Sequence, residues 1–456
     1  MRPLSRSMAR RVAVHVWGRR ALVLKTLALI GGFIVLAATG LRAEEPLSPA
    51  APEEVGLSSA RLSRIDQVFS AEVAAGHIPG AVILIARDGH LAYAKAFGTA
   101  DPATGRPMTR ETLFRYYSMT KPLVVAGALT LMEEGKIQLA DPISKYLPEF
   151  AHPEVSVPTR DAMGQVVYIR VPAPRPPTVQ DLMRHTAGLA YGEITTNPLV
   201  KESYLKSGLY KPDFDYNITD LTPDRFIAAL AAAPLAYAPG TVWEYSLSID
   251  LLGRLIERAS GKRLGDFLAE RLFHPLGMKD TGFSIPAEAA GRLAATFAKD
   301  PVSGKTLRLI DVSAPPAEDS GGAGAVGTAD DYLRFAEMLL EEGSLAGADI
   351  LSPASVALMT SDQLGPDIHP IVSPGEMLLG VPGFTFGLGV MVRNQPGIPG
   401  VPGSVGEFMW AGYAGTFFWV DPAENLVCVM MMQLPTPQRV WYRREIKDLV
   451  YQAIVE

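Results

Sequence analysis

A single cysteine, Cys428, stands in 456 residues. That scarcity excludes an intrachain disulfide, a multi-cysteine zinc site and lipoprotein attachment near the N-terminus. Its setting, Asn425-Leu-Val-Cys428-Val-Met430, reads as a buried strand in which a lone cysteine is a small core residue. Internal repeats and low-complexity tracts are also missing, which sets aside solenoids and disordered scaffolds. The histidines lack metal-ligand spacing, so neither a metal nor another cofactor is expected. No G-x-S-x-G elbow occurs. Gly304-Lys305-Thr306 fails as a phosphate loop because Lys299 holds the required first glycine position. The glycine-rich stretch 321–327 follows no expected strand and reads as a tight turn under a cleft rather than a nucleotide loop.

Acidic residues are absent from positions 1–43, which carry eight Lys or Arg. An apolar run over 26–40 follows, and Ala43 precedes Glu44-Glu45. This order of basic, apolar and small residues predicts an export signal over 1–43 and a periplasmic or secreted mature protein. The apolar run is short for a permanent span, so membrane contact is expected only through this segment if it stays uncleaved. Without it, 34 basic residues stand against 48 acidic ones, a formal net of −14. Nucleic acid and anionic membranes are therefore poor candidate partners.

Residues 44–52, rich in Pro and Ala, read as a linker, and 53–456 as one domain. Near its start, helical spacing over 58–75 precedes a strand at 80–87, an Asp88-Gly89 turn and a second strand at 91–97. Near its end, strands are expected at 386–392, 408–412, 416–420 and 426–433, then a helix at 438–454. Helices at 120–134, 179–184, 224–232, 248–259 and 328–342 occupy the middle. Segments 152–178 and 364–407 lack clear periodicity and read as cleft-building loops. The expectation is an α+β fold: an antiparallel sheet built from both chain ends (53–115 and 345–456) and flanked by helices, with a mainly helical subdomain (116–344) inserted.

The sharpest chemical signal is Phe114-Arg-Tyr-Tyr-Ser118-Met-Thr-Lys121-Pro122. Ser118 and Lys121 lie three apart at the start of an apolar helix, so both side chains share one face. A serine hydroxyl needs a neighbouring base, and burial at the positive end of a helix pulls a lysine toward the neutral form that can act as one. An S-x-x-K tetrapeptide is common, however, and a second copy, Ser203-Tyr-Leu-Lys206, lies in polar sequence. Context favours the first. Tyr245 follows the Pro239-Gly240 turn, where its phenol can share a proton with Lys121 and Ser118. Trp410-Ala-Gly412-Tyr413 lies on an expected strand, where a glycine lets substrate approach the backbone.

Four landmarks then occur in order: Ser118-Met-Thr-Lys121, His185-Thr-Ala-Gly-Leu189, Pro239-Gly-Thr with Tyr245-Ser246, and Gly321-Gly with Gly327-Thr-Ala-Asp330. Over residues 53–455 the chain thereby resembles the serine β-lactamase and penicillin-binding-protein superfamily, and within it the class C-like branch and the family VIII carboxylesterases. The resemblance implies an acylated Ser118, base and acid duties shared by Lys121 and Tyr245, and an oxyanion hole from the N–H groups of Ser118 and Tyr413.

Two departures bear on substrate. Tyr245-Ser246-Leu247 replaces Tyr-x-Asn, and Trp410-Ala411-Gly412 replaces the Lys-Thr-Gly that engages a carboxylate. A small-molecule ester bound by Trp410, Gly412 and Tyr413 is the expectation. A β-lactam, a D-amino-acid peptide or acyl transfer at the same site is the alternative, and a non-catalytic sensor on the same scaffold a remoter one. A cationic side chain reaching the Trp410 position from elsewhere would favour the β-lactam. His185 is read as structural.

Overall fold

The computed structural model describes residues 47–212 and 217–455. The expected export signal and residues 44–46 of the expected linker lie outside the described residues. Residues 47–52 run beside the second strand: Leu91 N–H donates to Ser48 O at 3.1 Å, and Ala50 N–H to Leu91 O at 3.2 Å.

Helix α1 (Ser59–Ala74) opens with the Ser58 side chain accepting from Arg61 N–H. Strand β1 (Gly80–Arg87) follows and buries every residue. Its run is apolar from Ala81 to Ala86 because helices cover both of its faces. Asp88 and Gly89 both take positive φ, 51° and 74°, the backbone of a two-residue primed turn. They return the chain as β2 (His90–Asp101), which continues to the short edge strand β3 (Arg106–Pro107). Next comes α2 (Thr120–Glu133), buried on every side from Thr120 to Leu131. Helices of that kind sit at the centre of a domain.

Segment 152–178, expected to lack regular structure, instead forms a hairpin of β4 (Glu154–Arg160) and β5 (Val166–Pro172). Val155 and Val157 pair across it with Val171 and Ile169, a short apolar alternation that the prolines at 153, 158, 172 and 174 obscured. Asp161 closes its turn by accepting from Met163 and Gln165 N–H, both at 2.9 Å. Helices α3 (Ser248–Ser260), α4 (Ala329–Leu340) and α5 (Pro374–Leu379) follow.

The run 386–392, expected as one strand, is two: β6 (Phe384–Phe386) and β7 (Met391–Arg393). Gly389 breaks it with φ 74°, and a Cβ there would stand 2.7 Å from Val125 Cγ2. Strands β8 (Phe408–Ala411), β9 (Phe417–Asp421) and β10 (Leu426–Met432) then lead to the last helix, α6 (Arg439–Tyr451).

These strands form one antiparallel sheet of eight in the order β6-β7-β8-β9-β10-β1-β2-β3. The chain ends meet where β10 pairs with β1, from Ala81 opposite Met432 to Arg87 opposite Leu426. Neighbouring residues of β9 show how the faces are covered, since successive side chains point oppositely. Trp419 stacks on Tyr451 of α6, while Phe418 meets Tyr332 of α4. Helices α1 and α6 therefore cover one face and α4 the other. The last of these comes from the segment read as the helical subdomain.

Candidate active site

Ser118 lies in a single 3-10 turn, Tyr117–Met119, that runs into α2. From Thr112 to Leu131 it is the one residue that is not buried. Tyr117 before it has φ 50°, an unfavourable conformation for a bulky side chain. Packing holds it there: the ring is 1% exposed, lies 5.6 Å from that of Tyr413, and its hydroxyl accepts from Ile310 N–H at 3.0 Å. The glycine-rich stretch brackets the same turn. Tyr116 N–H donates to Ala325 O at 2.8 Å, and Ala325 N–H to Thr120 Oγ1 at 3.0 Å.

Lys121 is fully buried below Ser118, with Nζ 3.2 Å from Ser118 Oγ, 3.1 Å from Tyr191 Oη and 2.8 Å from Gly322 O. Burial lowers its pKa from 10.5 to about 7, against the opposing charge of Asp250. Gly322 O can only accept, so it takes one N–H of the neutral amine. The second N–H and the lone pair are left to the two hydroxyls, those of Ser118 and Tyr191.

Asp250 fixes that carbonyl, since its carboxylate accepts from Gly322 N–H at 2.9 Å and from Ser320 Oγ at 2.6 Å. A Cβ on Gly322 would fall 2.2 Å from Asp250 Oδ2, so only glycine fits. The expected tight turn under the cleft is present here and carries the acceptor for Lys121.

Tyr245 stands where expected, beside the lysine, and presents its ring: Nζ lies 4.5 Å from the ring centroid. The phenol that hydrogen-bonds Lys121 from the next segment is Tyr191, which sequence reasoning missed. Its one signal was position, two residues beyond the His185-Thr-Ala-Gly-Leu189 stretch. His185 is buried, with Nδ1 3.1 Å from Ser246 Oγ and its ring 4.8 Å from that of Tyr245. Burial, then the charge of Lys121, holds it neutral, well below the usual histidine range. It packs the back of the site.

A cleft of about 100 Å³ opens over Ser118. Tyr245, Trp410, Gly412 and Tyr413 line it, so all the expected site residues converge, with Lys121 beneath them. Trp410 is 1% exposed and wedged between Tyr245 and Phe386, at centroid distances of 5.4 and 5.2 Å. It therefore backs Tyr245 more than it offers an open wall. Ile194, Met377 and Leu378 add apolar surface.

Two guanidinium groups from α6 also reach the lining, Arg439 and Arg443. That of Arg439 lies over the Tyr413 ring at 4.9 Å and donates to Thr436 O at 2.7 Å. The second S-x-x-K has a different fate. Its helix, Pro198–Ser207, leaves Lys206 73% exposed and paired with Glu202, while Ser203 Oγ donates to Leu199 O at 2.8 Å.

Known proteins share this fold. The sequence profile described as Beta-lactamase matches residues 65–452. Esterase EstB of Burkholderia gladioli is 32% identical over 400 residues, spanning 83% of this chain and 92% of EstB. An uncharacterized protein of Mycobacterium tuberculosis (strain CDC 1551 / Oshkosh) is 36% identical over 367 residues, spanning 79% of this chain and 86% of its own. Among solved structures, EstCE1, a hydrolase with promiscuous acyltransferase activity, superposes with a TM-score of 0.67 at 30% identity, covering 86% of this chain and 99% of EstCE1. The chain belongs to the β-lactamase family, on its family VIII-like carboxylesterase branch.

Proposed function

We propose that the protein hydrolyses carboxylic esters of modest polarity through an acyl-enzyme on Ser118. The observation that carries this reading is Lys121: buried, with a pKa near 7, and 3.2 Å from Ser118 Oγ. As a neutral amine it takes the Ser118 proton while Oγ adds to the ester carbonyl. The N–H groups of Ser118 and Tyr413 receive the oxyanion. The proton then passes to the departing alkoxide, with Tyr245 and Tyr191 beside the lysine to relay it, and the alcohol leaves. Water repeats the sequence on the acyl-enzyme, losing its proton to Lys121 and releasing the acid. Export fits this role, and the basic-then-apolar order of residues 1–43 supports it. The mass of the mature N-terminus tests cleavage after Ala43.

A second reading, acylation by a β-lactam, draws support from Arg439 on the cleft lining, which could meet a carboxylate. Short-chain nitrophenyl esters and a chromogenic cephalosporin, each given to wild-type and Ser118→Ala protein, separate the two. The ester reading expects ester turnover to exceed cephalosporin turnover and to vanish in the variant. Faster cephalosporin turnover would reverse the substrate assignment. Ester turnover surviving the substitution would remove Ser118 from the mechanism. Adding a short alcohol reports acyl transfer as a new ester product, an outcome the apolar lining at Ile194, Met377 and Leu378 favours.

A further inference from the structure

Arg443 is a large cation in an unusual place. It lies one turn after Arg439 on α6, is 3% exposed, and both of its terminal nitrogens end on backbone carbonyls. Nη1 donates to Leu378 O at 2.9 Å and Nη2 to Gly412 O at 2.8 Å. Burial and the neighbouring Arg439 both oppose its charge. A buried guanidinium is costly unless its surroundings stabilise it, and carbonyl oxygens do so less fully than a carboxylate. Its position therefore calls for a reason beyond packing.

The reason lies in the peptide that it grips. Gly412 N–H donates to Thr416 O at 2.8 Å, and Gly412 O also accepts from Gly415 N–H at 3.1 Å. The N–H and C=O of Gly412 thus both point toward the turn, Gly415 and Thr416, that leads into β9. A trans peptide places its C=O and N–H on opposite sides. The N–H of Tyr413, on the far side of the bond whose oxygen Arg443 holds, therefore points away from Gly415 and Thr416. It faces the side where the pairing of β7 with β8 has already ended, at Met391 and Met409, and where the cleft opens over Ser118. Gly412 itself has no spare room, since a Cβ would lie 2.3 Å from Tyr116 O. Thr416 Oγ1 donates to that same oxygen at 3.0 Å. The turn carrying Tyr413 N–H is thereby fastened to the segment carrying Ser118.

We propose that Arg443 is a positioning residue for the oxyanion hole: by holding Gly412 O it aims Tyr413 N–H at the ester oxygen and strengthens it as a donor. Two donors on one carbonyl, one of them charged, draw electron density toward the oxygen and leave the N–H at the other end of the peptide more positive. Arg443 acts through the Gly412–Tyr413 peptide, whose oxygen it holds at 2.8 Å. The proposal rests on the ester-hydrolase reading, because it concerns the oxygen of the ester carbonyl.

The test compares a nitrophenyl ester with its thionoester, in which sulfur replaces the carbonyl oxygen. Sulfur is larger and a poor hydrogen-bond acceptor, so the kcat ratio between the two reports what the oxyanion hole contributes. Removing a whole oxyanion-hole donor costs about 10²–10³ in kcat, and misaiming one should cost less. For Arg443→Gln the expected result is a fall in ester kcat of about 10- to 100-fold, KM within about threefold, and an oxygen-to-sulfur ratio reduced by the same factor. Arg443→Lys, which keeps the charge but spans only one carbonyl, should recover part of the ratio.

Equal losses for both substrates, or an unchanged ratio, would mean that Arg443 only packs, and would overturn the proposal. Should Arg443→Gln not fold, the Lys variant decides, with the acyl carbonyl stretch of its acyl-enzyme as the second measurement. A shift to higher frequency than wild type supports the proposal and an identical frequency overturns it. Absence of wild-type turnover of the oxygen ester would remove the ester reading and this proposal together. Wild-type turnover with an unchanged ratio removes this proposal alone.

Discussion

Replacing Lys121 by methionine should abolish turnover and make the protein more stable at neutral pH. Methionine matches the lysine stem in length and needs no hydrogen bond. The folded protein holds Lys121 at a pKa of about 7 against an ordinary 10.5. At 1.36 kcal/mol per unit, that burial costs about 5 kcal/mol once the pH is below 7. The substitution also leaves Gly322 O and Tyr191 Oη without the lysine, a loss of about 2 to 3 kcal/mol for the pair. The net gain is about 2 kcal/mol at pH 7. For a domain of roughly 400 residues, an unfolding entropy of about 2.1 cal/mol/K per residue converts this to a rise of 2–3 °C in Tm.

The pH dependence is the stricter part of this prediction. Between pH 7 and 10.5 the unfolded chain carries a proton on Lys121 that the folded chain has shed. Wild-type stability therefore rises with pH across this window, by up to about 1.4 kcal/mol per unit, and the methionine variant lacks that gain. Thermal melts of both proteins at pH 7, 8, 9 and 10 should show the variant ahead at pH 7 and behind by pH 9–10. A variant less stable at pH 7, or a difference that ignores pH, would refute the claim that Lys121 is held neutral by burial.

The same lysine should set the acid limb of kcat/KM, with activity falling as the pH drops through about 7. Asp250→Asn removes a charge that favours the ammonium, so this limb should move to lower pH. A limb that stays in place, or rises, in the kcat/KM profile of the variant would contradict the assignment. Tyr191→Phe takes away a hydrogen bond to Lys121 at 3.1 Å, and steady-state kinetics should show kcat lower by about 10- to 100-fold with KM little changed. Gly412→Ala puts a methyl 2.1 Å from Thr416 Oγ1 and 2.3 Å from Tyr116 O. It should destabilise by about 1–3 kcal/mol in denaturant melts and lose most ester turnover, because the oxyanion peptide must shift.

How much of this could be read from the residues varied with the kind of signal. The strand at 80–87 and the helix at 120–133 were legible because burial on all sides calls for long apolar runs, here from Ala81 to Ala86 and from Leu123 to Leu129, which composition shows directly. Ser118, Lys121 and Tyr245 were legible through order and spacing along the chain. The hairpin at 154–172 was not, since its short alternation, Val155 and Val157 opposite Val171 and Ile169, is interrupted and flanked by prolines. The break at Gly389 depends on a contact with Val125 of another element, which no local window contains.

Tyr191 and Gly322 O illustrate the harder limit. A tyrosine in a loop has no motif of its own, and a carbonyl oxygen has no sequence identity at all, yet both hold Lys121. Arg443 and Arg439 were similarly hidden in a terminal helix whose sequence reads simply as amphipathic.

The central claim, that Ser118 carries the acyl group, is tested most directly by trapping it. The wild-type protein would be incubated with a fluorophosphonate, or quenched in acid during turnover of a nitrophenyl ester, then digested and mapped by mass spectrometry. The account predicts one adduct, on the peptide containing Ser118, and none in Ser118→Ala. An adduct on another residue such as Ser203, or a Ser118→Ala protein that still forms it, would contradict the account.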